Sequence, residues 1–198
     1  MDENTSRIYT EILKSELKTA LGCTEPIAIA YCVAYAKKIL GKTPDQCDLY
    51  CTGSMIKNAS AVTVPQTGGL RGIEAAALAG LFGGNAAKEL EVLSDIGEDD
   101  RKQIQAAMGT GLVRVHLQEH EVALRIEAVL RAGEDTASAE VIHTHTGLGT
   151  VQRNGVVLNQ TSKADAEDDE AKFKSLNIRD ILAYADAVEL SQVEELLR

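Results

Sequence analysis

Apolar residues return every three to four positions at the start of the chain, at Ile8, Ile12, Leu13, Leu17 and Leu21. That is the period of an amphipathic helix. A second helix is predicted over 25–40, ending at Gly41. Its Ala-Ile-Ala-Tyr-Cys-Val-Ala-Tyr-Ala run is apolar nearly all round, which places it centrally. A short strand follows over 48–52, then a helical turn over 54–61. Residues 62–65 are extended, because Pro65 biases its predecessor away from the helical region. A third helix over 70–81 carries Gly72, Gly80 and three consecutive alanines, 75–77, a composition that permits close backbone approach to a neighbour.

Beyond residue 86 the rhythm changes. A helix over 99–108 ends near Gly109-Thr110-Gly111. Four strand candidates follow, over 112–118, 122–130, 139–146 and 150–158. Alternation is plain at Val113, Val115 and Leu117 and again at Val122, Leu124 and Ile126, the period of a half-buried strand. Asn154-Gly155 suits a turn with positive φ, so the fourth candidate reads as a tight hairpin. The acidic run 163–170 reads as a solvated linker. A last helix over 178–197 has an apolar stripe through Ile181, Leu182, Val188, Leu190, Val193 and Leu196.

The expected fold class is therefore α+β: an Ala-rich helical segment plus a helix-and-antiparallel-sheet subdomain. Three parts are expected: 1–85, the helical segment carrying Cys23; 86–162, the α+β subdomain; and 163–198, linker and terminal helix.

Composition narrows the function classes. The 198 residues are 44% hydrophobic, with five Tyr, two Phe and no Trp, so the core is built from Ala, Val, Leu and Ile. The net charge of −10 argues against general affinity for nucleic acid or an anionic membrane, whose phosphates would be repelled. The polar, acidic N-terminus lacks the pattern of a signal peptide, and the longest apolar stretch, 27–36, is too short to span a bilayer. A cytoplasmic location is expected, with Cys23, Cys32, Cys47 and Cys51 as reduced thiols or metal ligands. Cys32 falls on the Ala-rich helix and reads as core. Cys47 and Cys51 flank the first strand, four apart, and match no zinc knuckle.

Four clusters could carry chemistry. In Leu21-Gly22-Cys23-Thr24-Glu25-Pro26, Thr24 is a candidate cap and Pro26 suits a first helical turn. A cysteine there meets the positive end of the helix dipole, which favours thiolate. Cys23 is thus a candidate nucleophile or soft metal ligand; the plain alternative is a buried, inert thiol. In Ser54-Met55-Ile56-Lys57-Asn58, Lys57 offers a cation for a carboxylate or a base, and Asn58 a hydrogen bond; the alternative is a capped turn with an exposed lysine. Residues 65–72, Pro-Gln-Thr-Gly-Gly-Leu-Arg-Gly, place paired glycines ahead of a helix, which suits an anion loop or a tight turn. His143 and His145, two apart on an expected strand, share a face. With His116 they could meet a metal, or they are polar strand residues.

Taken in order, Leu21-Gly22-Cys23-Thr24-Glu25-Pro26, Ser54-Met55-Ile56-Lys57-Asn58, Val62-Thr63-Val64-Pro65-Gln66-Thr67-Gly68, Leu90-Glu91-Val92-Leu93, His143-Thr144 and Asn154-Gly155-Val156-Val157 resemble the N-terminal half of the iron–sulfur L-cysteine desulfidases. That family is related to the α part of bacterial iron–sulfur L-serine dehydratases. The resemblance runs through nearly the whole chain, and Gly-Cys-Thr-Glu-Pro is its most specific element. It implies a lyase that uses a [4Fe–4S] cluster and no pyridoxal phosphate, converting L-cysteine to pyruvate, ammonia and sulfide. L-serine dehydratase is the first alternative; a non-catalytic small-molecule-binding or assembly subunit is the second. Cys23 matches the family's N-terminal cluster cysteine, and Lys57, Asn58, Thr67 and His143 match recurring positions that would orient a small amino-acid substrate. His145 stands where relatives often have Asn. The family's other cluster cysteines lie in a C-terminal half that this sequence does not contain, so the resemblance implies a partner: that half or a second chain. By itself the chain is expected to be inactive, and its apolar last helix to favour a homo-oligomer.

Overall fold

In a computed structural model of the chain, residues 2–160 and 173–196 are described; the acidic run 163–170 lies outside them. They form two units. One comprises residues 20–161 and the other residues 1–19 with 162–198. The fold is α+β.

The larger unit is built around α2 (Thr24–Leu40), in which Ile27 to Ala34 and Ala36 are all buried. An all-apolar helix is stable only when surrounded, and α2 is. On one side lies α4 (Gly72–Gly83), equally apolar. The two helices approach so closely at Gly80 that an added Cβ would run into the Ala30 carbonyl. On the other side is a six-stranded sheet of β1 (Gln46–Cys51), β2 (Val113–Leu117), β3 (Arg125–Ala132), β4 (Asp135–Ile142), β5 (Leu148–Arg153) and β6 (Val156–Asn159). Its order is β2-β1-β3-β4-β5-β6. The short α3 (Gly53–Ala59) follows β1, and α5 (Glu98–Ala107) packs on α4.

Alternation along the strands divides the sheet into two faces. Cys47, Leu49, Cys51, Ile126, Ala128, Leu130, Ala139 and Val141 are buried in the core cluster with α2 and α4. The register places Tyr50, His116, Glu127, Glu140, Ser138 and Gln152 on the opposite, polar face. There Glu140 accepts from Arg125 Nε at 2.7 Å and from the Thr150 amide at 3.0 Å.

Several expectations are corrected. The sheet is mixed: β1 pairs parallel with β2 and antiparallel with β3. The boundary expected near residue 85 does not divide the fold, because β1 from the first part lies between strands of the second. The first helix, α1 (Glu3–Glu16), stops at Leu17 and so does not reach Leu21. It belongs to the other unit, where Tyr9 meets the Tyr184 ring edge-on at 5.7 Å and Thr10 Oγ1 lies 2.8 Å from the Tyr184 hydroxyl. Tyr184 sits on α6 (Ile178–Ala187). The continuous helix expected over 178–197 is instead α6, a break at Val188, α7 (Leu190–Val193) and a 3-10 turn. Among the described residues, no helix is long and apolar enough to cross a membrane.

Candidate functional site

Cys23 is itself the N-cap of α2, and Thr24, expected as the cap, is the first helical residue. Gly22 has φ +120, and a Cβ there would lie 3.3 Å from Pro65 Cγ. This glycine lets the chain enter α2 pressed against the 65–69 loop. The Leu21 amide is bonded to the Leu90 carbonyl at 3.4 Å, so the segment 90–93 braces the same entry. Two sequence motifs far apart in the chain thus flank Cys23.

Cys23 is exposed. Its thiol donates to Glu25 Oε2 at 3.1 Å, and Asn58 Nδ2 donates to Glu25 Oε1 at 3.2 Å. One carboxylate therefore ties the start of α2 to the end of α3. The arrangement overturns the expected thiolate. The hydrogen bond to Glu25, with partial burial, pushes the Cys23 thiol above its ordinary value. Two carboxylate and sulfur charges side by side repel, so the proton stays on sulfur. Glu25 is shifted the other way: the thiol hydrogen bond lowers its carboxyl, and the His145 charge and Asn58 help.

The residues expected to carry chemistry separate into those brought together and those not. Cys23 and Asn58 share Glu25. Lys57 is exposed beside Asn58 on α3 and has no hydrogen bond or ion pair among the described residues. Thr67 is buried, and its hydroxyl donates to the Val64 carbonyl at 2.8 Å, so it holds its own loop rather than facing a ligand. His143 is exposed at φ +67, just past the end of β4. The shared strand face expected for His143 and His145 does not exist, because both lie in the β4–β5 turn. His145, half-buried in that turn, is the histidine that acts electrostatically on Glu25.

The metal groupings other than Cys23, namely Cys47 with Cys51 and the three histidines, fail on position. Cys32, Cys47 and Cys51 are buried in the core, with Cys32 Sγ donating to the Ala139 carbonyl at 3.2 Å. Burial pushes Cys47 and Cys51 up to about 12 and Cys32 well above its ordinary value. His116 is on β2, three strands from β4, or about 14 Å at ordinary strand spacing. It donates instead to Asp48 Oδ1 at 2.9 Å and stacks on Tyr50. No group of three or more His, Cys, Asp or Glu side chains able to hold a metal occurs among the described residues.

Sequence reasoning missed Glu25 as a site residue and read His145 only as a candidate metal ligand beside His143. Glu25 was visible inside the Gly-Cys-Thr-Glu-Pro element, two positions after the cysteine. His145 carried no signal beyond its spacing from His143. The site lies at the end of the sheet where β1 and β2 finish: α3 follows β1 directly, and the His143 amide is bonded to the Leu124 carbonyl ahead of β3.

No family model matches the chain, and no solved structure matches it. It is similar to a UPF0597 protein of Lachnoclostridium phytofermentans, 39% identical over 187 residues, covering 94% of this chain and 45% of that protein. A UPF0597 protein of Treponema denticola is 39% identical over 202 residues, covering 100% of this chain and 46% of that protein. One from Finegoldia magna is 38% identical over 190 residues. The chain is thus similar to UPF0597 proteins over nearly its whole length, and spans less than half of theirs.

Proposed function

We propose that this chain supplies one part of the active site of a cytoplasmic iron–sulfur β-eliminating lyase. Its reaction would convert L-cysteine to pyruvate, ammonia and sulfide; deamination of L-serine is the same chemistry with a hydroxyl leaving group. The observation that carries the reading is the meeting of Cys23, Glu25 and Asn58 at one open end of the sheet, with the 65–69 and 90–93 segments braced around them. Of the motif series that resembles the desulfidases, the segments 21–26, 54–58, 65–69 and 90–93 meet here, whereas Asn154-Gly155 lies at the other end of the sheet, bonded to Thr136 and Asp135.

The donor set bears on the cofactor. A cubane with an open iron needs three protein thiolates, and such an iron supplies Lewis-acid polarisation of the leaving group. Cys23 fits one ligand position, being exposed and held by polar neighbours. The other described cysteines do not fit, being sealed in the core. The remaining ligands would come from the additional length that the UPF0597 relatives possess, or from a second chain. What this chain's own residues offer is recognition: Lys57 and Asn58, adjacent on α3, would hold the carboxylate of a small amino acid, and holding it in place supplies much of a rate.

The test is anaerobic reconstitution with iron and sulfide. The 198-residue chain alone should take up no stable cluster and release no sulfide from L-cysteine. Joined to the remaining portion of a UPF0597 protein, it should show cluster absorbance and pyruvate formation, both lost in Cys23→Ala. Turnover of L-cysteine and L-serine in parallel separates the two substrates. A reconstituted full-length protein whose cluster and turnover survive Cys23→Ala would overturn the reading, and one that binds amino acids without turnover would make it a binding protein.

A further inference from the structure

At the far end of α2 from Cys23 lies a hollow of about 430 Å³, lined by Lys37, Lys38, Lys42, Thr43 and residues 84–87. A 17-residue helix separates the two ends by about 25 Å at the usual rise, so this hollow is distinct from the site above. We propose that it binds a small phosphate-bearing anion, and the proposal does not rest on the lyase reading.

The first argument is charge. The chain carries a net −10, yet three lysines line this one hollow and no acidic side chain does. The nearby carboxylates are already matched. Asp95 pairs with Lys88 at 2.5 Å, and Asp135 pairs with Lys42, so Lys42 meets an anion only by exchanging that partner. Lys38 sits over the Tyr35 ring, 5.6 Å from its centre. Lys37 is half-buried and has no ion-pair partner among the described residues.

The second argument is shape. Lysines in a last helical turn are ordinary, because they face the negative end of the helix dipole. That accounts for Lys37 and Lys38 but not for Lys42. Lys42 lies beyond the cap, where Gly41 at φ +76 reverses the chain and brings it to the same hollow. Nor does it account for the 84–87 wall. Gly84 admits no side chain: an added Cβ would lie 2.5 Å from the Gly80 carbonyl oxygen and 2.8 Å from Ala34 Cβ. The 84–87 backbone is thereby held close to α2. Ammonium groups act on phosphate as point charges and need no fork geometry, so Lys37 and Lys38, joined by Lys42 when it exchanges Asp135 for the anion, suit a phosphate group. The volume leaves room for a small body attached to it.

Calorimetric titration of the intact chain with inorganic phosphate, and separately with glycerol phosphate, tests this. One saturable site is expected, with affinity weakened about tenfold or more in Lys37→Gln/Lys38→Gln and unchanged in Lys102→Gln, a surface lysine on α5. Tighter binding of the monoester would assign a phosphorylated metabolite; equal binding would assign free phosphate. Amide shifts on phosphate addition should map to residues 84–87 in the unaltered chain, which keeps the test independent of the variants' folding. No saturable binding by either probe, or binding indifferent to the double substitution with shifts elsewhere, would overturn the proposal.

Discussion

Glu25 accepts the Cys23 thiol proton at 3.1 Å, and this carboxylate, rather than the helix dipole, sets the state of the cysteine. Removing it in Glu25→Ala should lower the thiol's pKa toward its ordinary value. Alkylation of Cys23 at pH 8 should then quicken by about threefold, because the thiolate is the reacting form. Cys32, Cys47 and Cys51 should stay unlabelled in the folded chain. Slower alkylation in Glu25→Ala would show that the carboxylate activates this thiol instead of holding its proton.

Gly80→Ala should destabilise the larger unit by about 2–3 kcal/mol, the usual cost of overpacking a core. The added methyl meets the Ala30 backbone of α2, not a side chain that could turn aside. Ala76→Gly, on the same helix, should cost less, about 1 kcal/mol of helix propensity. Urea unfolding of both variants checks the contrast, and equal loss would mean that α2 and α4 yield without strain.

Asp48 gives a pH dependence whose sign is set by its partners. Burial alone would raise its carboxyl, but the hydrogen bonds from His116 and Gln46 outweigh it and leave the group below 3.8. Its stabilisation is therefore complete above that ordinary value and is lost as pH falls through the lower, folded one. Asp48→Asn should cost about 1–3 kcal/mol at pH 7, the range for disturbing a buried hydrogen-bonded group. The gap from the unaltered protein should narrow below pH 3. A gap that is the same at pH 7 and pH 2.5 would assign the loss to shape instead.

The helical unit exposes Ile178, Ile181, Leu182 and Leu190. Apolar surface of this kind favours association, so the isolated chain should self-associate as its concentration rises. Leu182→Glu, on the exposed side of α6, should shift light scattering toward monomer while leaving the helical circular dichroism unchanged. A monomer at every concentration before any substitution would remove the expectation of a homo-oligomer.

Much of this architecture was legible because its signals are local. The unbroken apolar run 27–36 required a buried helix, and α2 is one. Asn154-Gly155 required a positive-φ turn, and it joins β5 to β6 with φ +50 and +77. Gly80 among alanines announced a close helix contact. Other features depend on partners distant in sequence. Nothing in Gln46–Cys51 says that it pairs parallel with one strand and antiparallel with another, because alternation fixes faces and not neighbours. The histidines show the same limit: strand spacing put His143 and His145 on one face, but β4 ends at Ile142 and the turn dissolves that face. So too for Cys23. Its place before a helix follows from Gly-Cys-Thr-Glu-Pro alone. The carboxylate that holds its proton is a near neighbour, two positions on; what only folding decided is that Asn58, 33 positions away, closes onto the same carboxylate, because a hydrogen bond acts through space and not along the chain.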